Sequence, residues 1–245
     1  MPSSAHTPPK AIDFRFRAQL TERMDEPCTR EELRACLHDI AWSNRLLLGY
    51  CPLFRWLDAI ALGVASRPIH LLDVGCGNGD ALRRIEHWAH KRDLPMHLTG
   101  IDLNPDAIAI AAELTPDISS IQWAAVDVFD YQPRSGVDCV VSSLFTHHLS
   151  ESEIVRFIEW MEKIATAGWF INDLSRATTS YYLYRAFAKT LHLHPFVQND
   201  GPISIARAFV PEDWQRMCAS AGLAPGDFEI QAFKPARLCV ARRKQ

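Results

Sequence analysis

The stretch LLDVGCGNGD, residues 71–80, decides the fold prediction. It joins an apolar run ending in Asp73 to three glycines at alternate positions, Gly75, Gly77 and Gly79. Because glycine has no Cβ and adopts positive φ angles readily, such a loop lets a ligand approach the backbone closely. A helix starting near Asp80 would point its first amides at the same ligand. Glycines also form ordinary tight turns, but three of them behind a buried strand are typical of a ligand-binding loop.

Short apolar runs alternate with helical segments around this loop. From residue 69 the runs are IHLLDV, MHLTGIDL, IQWAAVDV, VDCVVSS and GWFINDL, and residues 228–241 add two more strands. Strands that are apolar on both faces and separated by helices are typical of a parallel sheet covered on both sides. The sequence therefore predicts a doubly wound α/β fold.

Composition changes divide the chain. Residues 1–28 are polar and contain prolines, so we expect a loosely ordered arm. Residues 29–66 have the helical period and predict N-terminal helices. Residues 67–245 form the α/β domain, with a helical, aromatic-rich insertion over 174–210 that follows the fifth strand.

The overall composition argues against several classes of protein. A net charge of -3 with scattered arginines gives no basic surface for nucleic acid. No apolar run is long enough to span a membrane and the N-terminus lacks a secretory signal, so we expect a cytoplasmic protein without membrane insertion. The 7 cysteines include no CxxC pair, which argues against disulfides and structural zinc.

Three acids at successive strand ends indicate the ligand. The dinucleotide fingerprint GxGxxG would need a glycine at position 80, where the chain has Asp80. Asp102 ends the second strand, where it could accept from a ribose diol, although Asp102 alone also fits a nicotinamide cofactor. Asp127 ends the third strand, where it could accept from an adenine amine. Together with Asp73 these acids predict an adenosine ligand without a pyrophosphate.

With these motifs, residues 69–174 resemble the class I S-adenosylmethionine-dependent methyltransferases. The resemblance implies a mostly parallel seven-stranded sheet with a C-terminal antiparallel hairpin, S-adenosyl-L-methionine as cofactor, and methyl transfer as the reaction. The cofactor contacts that it implies are Asp73, Gly75, Cys76, Gly77 and Gly79 for the methionine end, Asp102 and Leu103 for the ribose, and Asp127 and Val128 for the adenine. The outer segments look like small-molecule enzymes of quinone and polyketide pathways.

Three further positions are candidates for the methionine end. Asn44 lies on an apolar helical face, where an unpaired buried amide would cost about 1–3 kcal/mol. With Arg45 beside it, we expect the pair to meet the methionine carboxylate. The alternative is that Asn44 caps a neighbouring element and Arg45 makes a surface ion pair. Ser143 directly follows the fourth strand, where its backbone could meet the methionine amine.

The chemistry needs alignment and, for a phenol or enol, a base. A base would add roughly 10²–10⁴-fold to the rate. His147 and His148 lie after the fourth strand at the ligand edge, where either could reach an acceptor as the base, while one of the two is expected to be a helix-start or packing residue. Asp173 is a further candidate, although its more common role would be capping or binding Arg176.

The insertion is predicted to wall the acceptor pocket. Tyr181, Tyr184 and Arg207 are the expected acceptor contacts, although most aromatic stripes are core. The chain lacks the NPPY or DPPY tetrapeptide of base-modifying enzymes, and it shows no metal-ligand spacing, so we predict no metal.

The predicted function is methyl transfer to a small hydroxylated, partly apolar acceptor such as a phenol, quinol or polyketide. The alternatives are a cofactor-binding scaffold or regulator without turnover, and a nicotinamide-dependent oxidoreductase. The sequence leaves open whether the chain forms a homodimer.

Overall fold

A seven-stranded sheet forms the centre of the structure, a computed structural model that describes residues 12–64, 67–133 and 135–244. Its strands are β1 (Ile69–Val74), β2 (Met96–Asp102), β3 (Gln122–Ala125), β4 (Val137–Ser143), β5 (Ala165–Leu174), β6 (Glu229–Phe233) and β7 (Arg237–Arg243). Their order is β3-β2-β1-β4-β5-β7-β6. The first five pair in parallel, and β7 is antiparallel to both β5 and β6. The predicted doubly wound sheet with its C-terminal hairpin is confirmed.

Eight helices lie around the sheet in the described ranges: α1 (Arg30–Leu46), α2 (Cys51–Val64), α3 (Asp80–His90), α4 (Pro105–Glu113), α5 (Glu151–Ile164), α6 (Thr178–Thr190), α7 (Pro195–Arg207) and α8 (Pro211–Ser220). Local sequence sets where several of them begin. The Thr29 side chain accepts from the Glu32 amide at the start of α1, and Ser150 accepts from Glu153 at the start of α5. These reciprocal caps satisfy amides that the first turn of a helix leaves free.

The two faces of the sheet bury different helices. Because successive strand residues point to opposite faces, Val140 and Ile171 pack with α5 and α8, whereas Val141 and Phe170 pack with α2 and α3. All four of these strand side chains are buried. This fixes β1, β4 and β5 at the centre, so that the loops at their carboxyl ends share one rim.

Residues 12–28 run across that rim instead of leaving the fold. The Ala18 amide donates to the Ala206 carbonyl at 3.0 Å. The amides of Arg23 and Met24 donate to the Asp200 carboxylate at 2.9 and 3.0 Å. Within the arm predicted over 1–28, the described part is therefore tied to α7, while residues 1–11 lie outside the described residues. These contacts join backbone amides to a carbonyl and a carboxylate far along the chain, so the sequence pattern did not indicate them.

The helical insertion predicted over 174–210 is present as α6 and α7. It packs against α1, where Cys36 of α1 shares a buried cluster with Ala188, Phe196 and Val197. The insertion and α1 thus stand side by side above the carboxyl ends of β4 and β5.

Candidate active site

The glycine loop between β1 and α3 has backbone angles that only glycine adopts easily. Gly75, Gly77 and Gly79 have φ angles of 69°, 53° and 75°. A Cβ on Gly75 would lie 2.7 Å from the Phe145 ring, so a larger residue is excluded on steric grounds as well. The loop therefore exposes its backbone at the rim of the sheet.

Two acids frame this loop. Asp102 accepts from the Gly77 amide through Oδ2 and from the Asn104 amide through Oδ1, both at 2.9 Å. Asp73 is 2 % exposed. Burial, together with the nearby Asp102 charge, raises the pKa of Asp73 to about 8. The rim thus holds one carboxylate that organises the loop and one carboxyl group that favours its neutral form.

A cavity of about 400 Å³ opens beside the loop. The residues expected at the cofactor that line it are Asn44, Asp73, Gly75, Cys76, Gly77, Asp102, Leu103 and Ser143. Gly79, Asp127 and Val128 are not brought to its wall. Asp127 instead accepts from the Phe129 amide at 2.8 Å, and Val128 belongs to the core.

Arg45 does not reach the cavity either. It forms an ion pair with Asp80, which also accepts from Arg84 at 3.0 Å. Burial opposes ionisation of Asp80, but hydrogen bonds from Arg45, Tyr50 and Arg84 hold its pKa below the ordinary value. Arg45 therefore makes an ion pair, which is the alternative that the sequence left open for this residue.

The guanidinium beside Asn44 belongs instead to Arg237, which the sequence analysis did not select. Asn44 Oδ1 accepts from Arg237 Nη2, and both residues line the cavity. Arg237 is the first residue of β7 and pairs with Leu174 at the end of β5. A charged residue opening the apolar strand RLCVA was the available signal.

His147 and Asp173 form a buried pair at the cavity. His147 Nδ1 lies 2.8 Å from Asp173 Oδ1, and the two side chains are 3 % and 0 % exposed. Burial opposes ionisation of Asp173, but the His147 charge and hydrogen bonds from His147 and Thr146 lower the pKa of Asp173. Because a carboxylate accepts, Nδ1 carries the proton, and in the neutral form of the ring Nε2 is then an acceptor. The pair thus has the form of an oriented base.

Glu22 faces both histidines and was not predicted from the sequence. Its carboxylate oxygens lie 3.7 Å from His147 Nε2 and 3.9 Å from His148 Nε2. Burial raises the pKa of Glu22 to about 7, against the lowering effect of His148 and Arg207. Arg207 Nη1 lies 3.2 Å from Glu22, and His148 Nδ1 lies 3.2 Å from Asp25. Arg207 is thus joined to these acids and is not one of the residues lining the cavity.

Glu22, His147 and His148 have the donor types of a metal site. One ligand atom from each lies within 4.8 Å of the other two. Arg207 already supplies a positive charge to the same carboxylate. Since the cluster has a cation of its own, its composition does not require a metal, and the absence of one stays a prediction.

The two tyrosines of the insertion have different surroundings. Tyr184 lines the cavity, and its ring occupies the space that a Cβ on Gly201 would need. Tyr181 lies away from the cavity and packs edge-on against Phe14 at 5.4 Å between ring centroids. The structure therefore brings one of the two predicted acceptor tyrosines to the site.

Comparison with known proteins agrees with this geometry. A family model described as a methyltransferase domain matches residues 71–168. The solved structure of the plantazolicin methyltransferase BpumL in complex with SAH (S-adenosylhomocysteine) superposes with a TM-score of 0.62 at 13% identity, covering 87% of this chain and 96% of that one. LepI in its complex with SAM gives a TM-score of 0.51 at 16% identity, covering 73% of this chain and 44% of that one. At these identities the likeness to both structures concerns the fold.

Residues 71–168 are thus a methyltransferase domain, and the sheet order and the glycine loop agree with that match. S-adenosylmethionine is the cofactor expected from the sequence, and SAH and SAM are bound in the two structures that share the fold. The residues present suit S-adenosylmethionine, because an open glycine backbone, the Asp102 carboxylate and a buried guanidinium meet around one cavity.

None of the helices in the described part of the chain combines the length and the apolar character needed to cross a bilayer.

Proposed function

We propose that the protein transfers a methyl group to a small hydroxylated, partly apolar acceptor of the phenol, quinol or polyketide type. The observation that carries the proposal is the His147–Asp173 pair at the wall of the cavity. A base oriented by a buried carboxylate suits an acceptor that must lose a proton. Leu33, Leu37, Ile40 and Val197 supply apolar lining for the rest of such a molecule.

Bound S-adenosylmethionine supplies an activated methyl group on a sulfonium. The protein's first task is to hold the acceptor oxygen in line with the carbon–sulfur bond and to exclude water. We assign cofactor contacts to the loop from Asp73 to Gly79, to Asp102 and Leu103 at the ribose, and to Asn44 and Ser143 at the methionine end. Asp127 and Val128 lie outside the cavity wall and are proposed only for the adenine end, which would have to extend beyond it.

Proton transfer is the second task. In this proposal His147 Nε2 takes the hydroxyl proton, while Asp173 keeps Nδ1 protonated and the ring in place. His148 stands beside it, with ring centroids 4.3 Å apart, and is the alternative base expected from the sequence. Glu22 adjoins both Nε2 atoms, so it is placed to accept the proton onward from either ring.

Residues 12–28 cover the histidines. Arg17 donates to the carbonyls of Leu149 at 3.0 Å and Arg207 at 2.8 Å. We propose that this segment excludes water from the reacting oxygen and that Tyr184 contacts the acceptor ring.

The test is methyl transfer from isotopically labelled S-adenosylmethionine to a panel of phenols, quinols and polyketide-like resorcinols, followed by mass spectrometry. We expect at least one hydroxylated member to gain one labelled methyl group. The matched control is the same panel with ring hydroxyls replaced by hydrogen. Equal labelling of a hydroxylated compound and its hydroxyl-free control would contradict the proposed acceptor class.

A second candidate is cofactor binding without methyl transfer. It is favoured by one comparison: a structure described as a pericyclic reaction enzyme has a TM-score of 0.51 at 16% identity to this chain. In that case S-adenosylmethionine would bind, and no member of the panel would gain a methyl group. Calorimetric binding without turnover would distinguish this candidate from the first.

A further inference from the structure

Arg237 is a buried cation with an unused hydrogen-bonding edge. The residue is 8 % exposed, and its Nη1 has no hydrogen-bond partner among the described residues. Nη2 donates to Asn44, a neutral side chain. Burial lowers the pKa of Arg237. Because an arginine nevertheless keeps its proton in proteins, the side chain remains positively charged at this buried position.

The surrounding groups do not neutralise it. Asp173 is the acid that acts on Arg237 through its charge, but its oxygens already accept from His147, Thr146 and the Leu174 amide. Cys239, Tyr50 and Tyr184 are the other neighbours that act on it, and burial raises the pKa of all three, which keeps the thiol and the phenols neutral. A buried guanidinium with one unpaired edge is therefore a candidate site for an anion from outside the chain.

The backbone nearby has room made for this guanidinium. A Cβ on Gly49 would lie 2.8 Å from Arg237 Nη2 and 3.2 Å from Asn44 Oδ1. Gly49 lies just after α1, and its carbonyl accepts from Asn172 of β5 at 2.8 Å. The guanidinium thus lies between the α1–α2 link and the start of β7, and the close contacts there set its position.

We propose that Arg237 binds a carboxylate, through Nη1, at the end of the cavity formed by Asn44, Tyr50 and Tyr184. Arginine pairs with carboxylates in a planar, charge-assisted geometry, and a preformed buried edge favours this ligand over a neutral one. The proposal rests on the proposed function, since it concerns the same cavity. It adds a chemical requirement: one of the two substrates presents a carboxylate there.

Either substrate could supply that group. The methionine end of the cofactor carries a carboxylate, and Asn44 was expected beside it from the sequence. An acidic acceptor is the other source of a carboxylate at Arg237. Arg237 lies beside β5, whereas the glycine loop follows β1, and β4 separates these two strands in the sheet. The experiment therefore needs one arm for each source.

The cofactor arm compares Arg237→Met with the parent protein by titration calorimetry. S-adenosylmethionine is one probe, and 5′-methylthioadenosine, which lacks the amino-acid end, is the other. If the cofactor supplies the carboxylate, the variant binds S-adenosylmethionine about tenfold or more weakly and methylthioadenosine unchanged. Arg243→Met is the matched control, because Arg243 lies on the same strand and pairs with Glu229 at the surface.

The acceptor arm compares 2,4-dihydroxybenzoate with resorcinol, which differ by the carboxylate alone, with and without S-adenosylhomocysteine. If the acceptor supplies the group, the parent prefers the benzoate by about tenfold and Arg237→Met removes the preference. Gly49→Ala should weaken binding in whichever arm responds, since it displaces the guanidinium without removing its charge. Thermal unfolding of each variant shows that the fold is kept.

The proposal is overturned if Arg237→Met leaves the affinity for S-adenosylmethionine unchanged and the parent shows no preference for the benzoate. A parent protein that binds no S-adenosylmethionine at all would contradict the proposed function instead. The acceptor arm run without cofactor would still decide the role of Arg237 in that case.

Discussion

Asp102 and Gly77 are joined by a hydrogen bond of 2.9 Å from the glycine amide to the carboxylate, and the second carboxylate oxygen accepts from the Asn104 amide at the same distance. One side chain thus ties the glycine loop to the start of α4. The carboxylate stays at the rim of the cavity, where it can accept from a ribose as well.

Replacing Asp102 by Ala should weaken S-adenosylmethionine binding by one to two decades. Hydrogen bonds to a charged group contribute roughly 1.5–3 kcal/mol, and the loop loses its support at the same time. Titration calorimetry measures this. Asp106→Ala is the control, because Asp106 is an exposed acid in the first turn of α4. An unchanged affinity in Asp102→Ala would remove Asp102 from the ribose site.

Replacing His147 by Asn should lower turnover by roughly 10²–10⁴-fold while leaving cofactor affinity nearly intact. The reason is that His147 is the ring held by Asp173, whereas His148 is 30 % exposed and bonded to the surface acid Asp25. The loss should shrink at high pH, where a phenolic acceptor ionises without help. The rate is measured as labelled methyl groups transferred to the acceptor, and cofactor affinity is measured by calorimetry.

His148→Asn and His38→Asn are the comparisons for that variant. His148 is the other candidate base from the sequence, so a larger loss in His148→Asn than in His147→Asn would assign the role to it. His38 is exposed on α1 and should have no effect. A rate unaffected by either cavity histidine would contradict base catalysis by this pair.

Local signals predicted the fold because they act over short distances. The glycine loop, the apolar strands and the caps at Thr29 and Ser150 are each readable within a few residues. The position of the ligand site follows from them, because strand ends of a parallel sheet meet at one rim. Family resemblance then supplied the antiparallel end of the sheet.

Contacts between distant segments account for what the sequence could not show. Glu22 meets His147 across 125 positions of chain (147 − 22), and Asn44 meets Arg237 across 193. No periodicity reports such meetings. The Asn44–Arg45 dipeptide was attractive because the two residues are adjacent, yet on a helix adjacent side chains diverge, and Arg45 turns to Asp80.

The insertion provides a matched pair of tyrosine variants. Tyr184→Ala should raise the acceptor KM or lower kcat, because Tyr184 lines the cavity, whereas Tyr181→Ala should leave both close to the parent values. Cofactor affinity should stay the same in both, since the glycine loop is untouched. Steady-state kinetics on the labelled acceptor measure the difference. Equal effects of the two variants would show that Tyr184 acts through packing of α6 and not through the acceptor.

Replacing Asp73 by Asn should flatten the pH dependence of stability in the cofactor-free protein. The pKa of Asp73 is raised from 3.8 to about 8 on folding, so between these values the native state binds more protons than the unfolded state. The free energy of unfolding therefore falls as the pH rises through this window, by up to about 1.4 kcal/mol per pH unit from this group. The Asn variant carries no such proton. Urea unfolding at pH 5, 6, 7 and 8, chosen as about evenly spaced points inside that window, measures both slopes.

The comparison isolates Asp73 from the other buried acids. Asp173 has a lowered pKa and therefore adds stability that is lost only below about pH 4, outside the window. The pKa of Glu22 is raised to about 7, so Glu22 also lowers the free energy of unfolding as the pH rises, as Asp73 does. The Glu22→Gln variant measures the contribution of Glu22 separately. If the parent and Asp73→Asn show parallel slopes, Asp73 is ionised in the folded protein. No proton would then have to leave Asp73 when the positively charged cofactor binds.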